Sequence, residues 1–115
     1  MIKIVFFHYD NGELAGFRAS GHAGYSEPGK DIVCAAASIL ATTAVNSLEE
    51  LISIKPVYNV DEESGFLECF IPHELSGSDF IKAQTILKTT EIGLRSLEQE
   101  YGRYIKITQR RWTKC

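Results

Sequence analysis

The chain has 115 residues, a length that suits one domain built on one core. Twelve Lys and Arg against fifteen Asp and Glu leave a formal net charge of −3, scattered along the chain. That balance argues against a nucleic-acid binder, which carries a basic patch, and Arg110-Arg111 is too short to supply one.

Cys34, Cys69 and Cys115 lie far apart and form no CxxC pair, so neither a disulfide framework nor a redox motif is expected. A reducing cytoplasm suits such thiols. Met1 to Tyr9 is a short apolar run broken by Lys3, with no small-residue cleavage site behind it, so no secretory signal is expected.

Ile2, Ile4 and Phe6 alternate with Lys3, Val5 and Phe7, which predicts a first strand. Asp10-Asn11-Gly12 is a turn signal. A second strand is expected over about 13–22, with Ala15, Phe17 and Ala19 towards the core and Arg18, Ser20 and His22 on the other side. Residues 23–30, marked by Gly24, Pro28 and Gly29, read as a loop. Asp31 is a candidate N-cap, because its carboxylate can accept the N–H of Val33 or Cys34.

The helix it opens should run to about Ser53, where Lys55-Pro56 stops it. Its buried stripe should be Val33, Ala37, Leu40, Ala44, Leu48 and Leu51. Residues 32–48 carry no charge, but Ala, Ser, Thr and Asn46 point to a buried helix rather than a membrane span.

Strands follow at 57–60 and 66–71, joined by the turn Asp61-Glu62-Glu63-Ser64-Gly65. A second helix should begin near Ser78 or Asp79, show Phe80, Ala83, Leu87, Leu94, Leu97 and Tyr101 to the core, and end before Gly102 as a C′ residue. A last strand is expected over 104–109.

The expected fold class is therefore α+β (mixed α/β): a single domain over residues 1–115, in the order ββαββαβ, with a five-stranded sheet and both helices packed on one face. The opposite sheet face must then be polar or covered by a partner. Tyr58, Phe66, Phe70 and Tyr104 are candidates for that surface, which motivates a dimer.

Chemistry concentrates at residues 21–38. A thiol in a first helical turn meets unpaired N–H groups and the positive end of the helix dipole, which favour the thiolate. An imidazole at position 22 can pair with the Cys34 sulfur and protonate a leaving amine. Free N–H groups beside Cys34 are expected to stabilise an oxyanion. Against this, Cys34 also reads as a small buried hydrophobe and His22 as the end of a strand.

Asp31 is an orienting third group or simply the helix cap. Ser38, one turn after Cys34, joins the site or bonds back to its own helix. No metal is expected, since His8, His73 and Cys69 have no ligand spacing relative to His22 and Cys34. No cofactor loop is present, because Gly21, Gly24 and Gly29 match no phosphate-binding pattern. Cys69 reads as core, and Cys115 as exposed.

On Gly21-His22-Ala23-Gly24-Tyr25 and Gly29-Lys30-Asp31-Ile32-Val33-Cys34-Ala35-Ala36 the chain resembles the ribosomal-processing cysteine protease family, Prp. The likeness extends more loosely along the whole chain in length and element order. It implies a cysteine endopeptidase with His22 and Cys34 as catalytic dyad, and Asp31 and Ser38 at further family positions near them.

It also implies a mobile substrate loop carrying Gly24, Tyr25 and Gly29, and a homodimer. The implied substrate is the N-terminal extension of a precursor, large-subunit ribosomal protein number twenty-seven, cut after an aromatic residue; neither nucleic acid nor membrane is an expected partner. Ser26-Glu27-Pro28 fills the variable part of the loop, and Ala37 stands where a larger aliphatic residue is common. Tyr25 or Phe17 is expected to line an apolar specificity pocket.

The alternatives from other classes are a non-enzymatic, ribosome-associated peptide-binding domain, a thiol hydrolase of small thioesters or amides, and a structural dimerisation module. A hyper-reactive Cys34 separates the enzymes from the other two.

Overall fold

The structure, a computed structural model, describes residues 1–113, so Cys115 lies outside the described residues. The elements are β1 (Ile2–His8), β2 (Leu14–Ser20), α1 (Ile32–Leu51), β3 (Val57–Asp61), β4 (Phe66–Phe70), α2 (Gly77–Tyr101) and β5 (Ile105–Arg111). The strands form one sheet in the order β3-β4-β2-β1-β5. β1 runs parallel to β5 and antiparallel to β2, and the remaining pairs are antiparallel. The sheet is mixed, as expected.

Register decides which side chains share a face. Ile4 stands beside Ala19 and Ile107, Phe6 beside Phe17, and Phe17 beside Cys69. Ile4, Phe6, Phe17, Cys69 and Ile107 are all buried on that side, in one cluster with Val33 and Leu48 of α1 and Leu87 and Leu94 of α2. Both helices thus cover one face of the sheet, and the apolar period of each element is satisfied there.

The opposite face carries Phe7, Phe70 and Trp112. Phe70 stacks 5.3 Å from Phe7 and 4.5 Å from Trp112, between ring centroids. The Arg18 guanidinium lies 5.1 Å over the Phe7 ring and pairs with Glu68 at 3.2 Å. This cover explains why Phe7 is buried although it alternates away from the core.

Of the four residues expected on this face, Phe70 lies there opposite Val57, and Phe66, four residues earlier in β4 and opposite Asp61, is on the same face. Tyr58 pairs with Cys69 and so belongs to the helix side, exposed at the sheet edge. Tyr104 precedes β5 and packs on Tyr25, 5.2 Å away.

The buried stripe of α1 is Val33, Ala37, Ala41, Ala44, Val45 and Leu48. This set corrects two expected core positions. Leu51 is exposed, because the helix ends there and Ile52 takes extended φ and ψ that turn its side chain inward. Leu40 is half-buried and seats against Gly93 of α2, where an added Cβ would stand 3.1 Å from Leu40 Cδ2. By length and composition α1 is apolar enough to cross a membrane, but here its stripe forms part of the core.

Helix α2 starts at Gly77, a little before the expected Ser78 or Asp79, and Ser76 at its N-cap makes no side-chain cap bond. Asp79 instead accepts the Ser53 N–H at 3.1 Å, tying the start of α2 to the end of α1. Gly102 is right-handed (φ −59°), not the left-handed C′ residue expected.

The two edges of the sheet differ. On β5, Glu98 accepts the Ile107 N–H at 2.9 Å, while every residue of β3 is exposed. The end of β2 lies beside the start of β4, since Ala19 pairs with Leu67. That neighbourhood brings the β3–β4 turn up to the residues that follow β2.

Candidate active site

β2 stops at Ser20, two residues short of the expected end, because Gly21 takes φ +86° and breaks the strand. A Cβ at Gly21 would lie 2.4 Å from the Met1 carbonyl oxygen, so only glycine permits this turn against the N-terminus. His22 therefore leaves the sheet rather than alternating with Arg18 and Ser20. Its Nε2 lies 3.0 Å from the Glu63 carbonyl oxygen in the β3–β4 turn.

Cys34 sits in the first turn of α1, half-buried, and its sulfur accepts the Ala23 N–H at 3.2 Å. His22 and Cys34 line one cavity of about 300 Å³, together with Ser38, Ala41, Val60 and Leu67. They also line a second hollow, beneath the loop, with Gly24, Pro28, Gly29 and Asp31. Cys34 thus stands where two hollows meet, and a chain lying across both would pass over its sulfur.

Asp31 is the cap of α1 and a staple for the loop. One carboxylate oxygen accepts the N–H groups of Val33 and Cys34, both at 3.0 Å. The other accepts Tyr25 N–H at 3.0 Å and Ser26 N–H at 3.3 Å. Desolvation pushes its carboxyl up, but the N–H donors of Cys34, Ser26 and Tyr25, joined by the Cys34 side chain, outweigh it and hold it below the usual carboxylate value.

These bonds correct the expectation of free N–H groups beside Cys34. Those of Val33 and Cys34 belong to the Asp31 carboxylate, and that of Ala35 belongs to the Asp31 carbonyl at 3.1 Å. The one seen at the sulfur comes from Ala23.

Tyr25, expected to line a specificity pocket, is the second anchor of the loop. Its ring meets Tyr101 and Tyr104 edge-on, with centroids 5.6 and 5.2 Å away. Gly24 and Gly29 sit in open space with positive φ on either side of the loop. Phe17 is fully buried in the core cluster and is absent from the lining of either hollow.

The remaining candidates are elsewhere. Cys69 is buried with its thiol pushed up to about 12 by desolvation and by Glu49. His8 closes the β1–β2 hairpin, with Nδ1 3.0 Å from the Gly12 carbonyl oxygen, and also bonds Gln109. Among the described residues no group of three His, Cys, Asp or Glu is placed to hold a metal ion.

The sequence reading missed the part played by Glu63 and Gly65, and the Tyr101–Tyr104 slot. Gly65 was legible as a turn residue. Its meeting with His22 follows from β4 lying next to β2, and strand order has no local signature.

The family model of the cysteine protease Prp matches residues 1–106. This chain belongs to the cysteine protease Prp family. It is accordingly a cysteine protease.

A Staphylococcus aureus relative, the ribosomal processing cysteine protease Prp, is 34% identical over 107 residues, spanning 93% of this chain and 97% of the relative. The Bacillus subtilis protein of the same name is 29% identical over 100 residues, 87% of this chain and 88% of the relative. Among solved structures, an essential ribosomal processing protease Prp from S. aureus, in complex with a covalently linked product peptide, superposes with a TM-score of 0.86. It is 31% identical and covers 96% of this chain and 100% of its own. Membership in Prp sets aside the non-enzymatic readings, and the ββαββαβ architecture is that of the family's solved structure.

Proposed function

We propose that this protease is a ribosomal-processing endopeptidase in which Cys34 is the nucleophile and His22 the acid–base partner. The observation that carries this is one hollow shared by the Cys34 sulfur and the His22 ring, with the Ala23 N–H donating to that sulfur. An N–H directed at sulfur stabilises negative charge on it. The S. aureus relative bound to a covalently linked product peptide supports acyl transfer at such a site.

The steps follow from these groups. His22 takes the thiol proton as Sγ adds to the scissile carbonyl carbon. The Ala23 N–H, already beside the sulfur, donates to the oxyanion as it forms next to it. The C–N bond breaks and His22 passes its proton to the leaving amine, giving a thioester on Cys34. Water then gives a proton to His22 and its oxygen to the acyl carbon. The C–S bond breaks, releasing the new carboxyl terminus and restoring the thiol. Ser38 lines both hollows, which places it to meet a substrate lying across Cys34.

The substrate we assign is the N-terminal extension of the precursor of large-subunit ribosomal protein number twenty-seven, cut after an aromatic residue in the cytoplasm. The apolar side of the cavity, from Ala19, Ala37, Ala41 and Leu67, suits such a residue. The enzyme works as a homodimer, and Val57, Tyr58 and Val60, exposed along β3, support a second copy as partner. Mixing the protein with the extended ribosomal precursor and following its mass tests the reading. Loss of a short N-terminal peptide is expected, and a Cys34→Ala protein that still releases it would end the proposal.

A further inference from the structure

Asp31 does not orient the imidazole, because its oxygens are given to backbone N–H groups of Tyr25, Ser26, Val33 and Cys34. What holds the ring is the Glu63 carbonyl, 3.0 Å from Nε2. A carbonyl oxygen only accepts, so Nε2 carries the hydrogen of that bond. Nδ1 is then the unprotonated nitrogen of the neutral ring.

The turn that presents this carbonyl is internally braced. Glu63 N–H donates to Asp61 Oδ1 at 3.2 Å, and Gly65 N–H donates to the Glu62 carbonyl at 3.2 Å. Gly65 has φ +67°, and a Cβ there would stand 3.0 Å from His22 Cε1 and 2.5 Å from the Gly21 carbonyl oxygen. Only a residue without a side chain lets the turn close on the ring.

We propose that the Glu63 carbonyl, brought in by Gly65, is the orienting group of this site. It fixes His22 as the Nε2–H tautomer, so that Nδ1 is the atom that exchanges the proton with Cys34. Glu63 and Gly65 are positioning residues, acting through His22. The inference rests on His22 and Cys34 being the dyad. In acylation Nδ1 receives the S–H proton as the C–S bond forms and gives it to the amine nitrogen as the C–N bond breaks. In deacylation Nδ1 receives a proton from water and returns it to sulfur as the C–S bond breaks. Nε2–H stays on Glu63 throughout.

The test is the tautomer itself. In protein carrying ¹⁵N-labelled histidine, two-bond ¹H–¹⁵N correlation spectra of neutral His22 are expected to show the hydrogen on Nε2. A hydrogen on Nδ1 overturns the inference. If Cys34 and His22 remain essential for cleavage in that case, the dyad reading stands and only the orienting role falls. If Cys34→Ala still cuts, the dyad reading itself falls.

Gly65→Ala supplies a second handle. It should lower kcat about 10–100-fold with KM within about twofold, as expected for a misplaced group rather than lost substrate binding. Gly12→Ala is the control: it has the same left-handed strain at φ +86° but nothing within 4 Å of its Cβ, and it should keep kcat. Equal losses in the two variants, or a Gly65→Ala protein with full kcat per alkylatable Cys34, overturn the proposal.

Discussion

Two cysteines of one chain stand in opposite surroundings. Cys34 opens α1 at the junction of two hollows, half-buried, with the Ala23 N–H on its sulfur. Cys69 is the fourth residue of β4, fully buried in the core cluster, with its thiol pushed up to about 12. The amino acid is the same, and the difference is water, a donor and an imidazole nearby. Position in the fold, not residue type, decides which of the two thiols a substrate can reach.

The sharpest way to break this contrast is removal of each sulfur. Cys34→Ala should lower peptide cleavage by at least about 10³-fold at unchanged melting temperature. Cys69→Ser should keep kcat per folded molecule and cost about 1–3 kcal/mol in denaturant unfolding, because a hydroxyl replaces a thiol in the core. Reversed outcomes would mean the two sites have been misassigned.

Alkylation sharpens the same contrast without mutation. At neutral pH a thiol pushed up to about 12 is ionised only on the order of 10⁻⁵ of the time, besides being inaccessible. Iodoacetamide followed by peptide mapping should therefore modify position 34 and spare position 69 until the protein is unfolded. Equal labelling in the native state would contradict the geometry.

Asp31→Ala is expected to have a mixed effect. Loss of the cap should cost about 1 kcal/mol of stability, and loss of the loop bonds should raise KM several-fold. The pH dependence has a definite sign. Because the folded-state carboxyl lies below its usual 3.8, its contribution is present above that value and is lost as pH falls through the lowered one. The stability gap between native and variant protein should therefore close in acid, in urea titrations below about pH 4. A gap that widened there would reverse the assignment.

The smallest effect is expected at Tyr25. Removing its half-exposed ring with Tyr25→Ala deletes two edge-on aromatic contacts, together worth less than about 1 kcal/mol. Faster proteolytic nicking within residues 23–30 is the expected readout, with the fold otherwise intact.

The backbone plan was largely legible in the sequence. Alternation marked β1, the stripe from Val33 to Leu48 marked α1, and Asp31 announced its own cap. Local signals failed where neighbours decide. Leu51 fits the helical period, yet the chain leaves the helix there and Ile52 is buried instead. His22 continues the period of β2, yet Gly21 turns it off the strand. The N–H groups beside Cys34 looked free because the sequence cannot say that one carboxylate takes them. The site's residues were visible as types, while the Glu63 carbonyl was not, since a backbone oxygen has no letter of its own.

Leu40 seats on Gly93 where α2 meets α1. An added methyl at position 93 would meet Leu40 Cδ2 at 3.1 Å, so the end of that side chain has to give by a few tenths of an ångström. The interval between the two helices is thus gauged by an apolar notch, and Gly93→Ala should show in a melting curve while leaving cleavage per folded molecule unchanged.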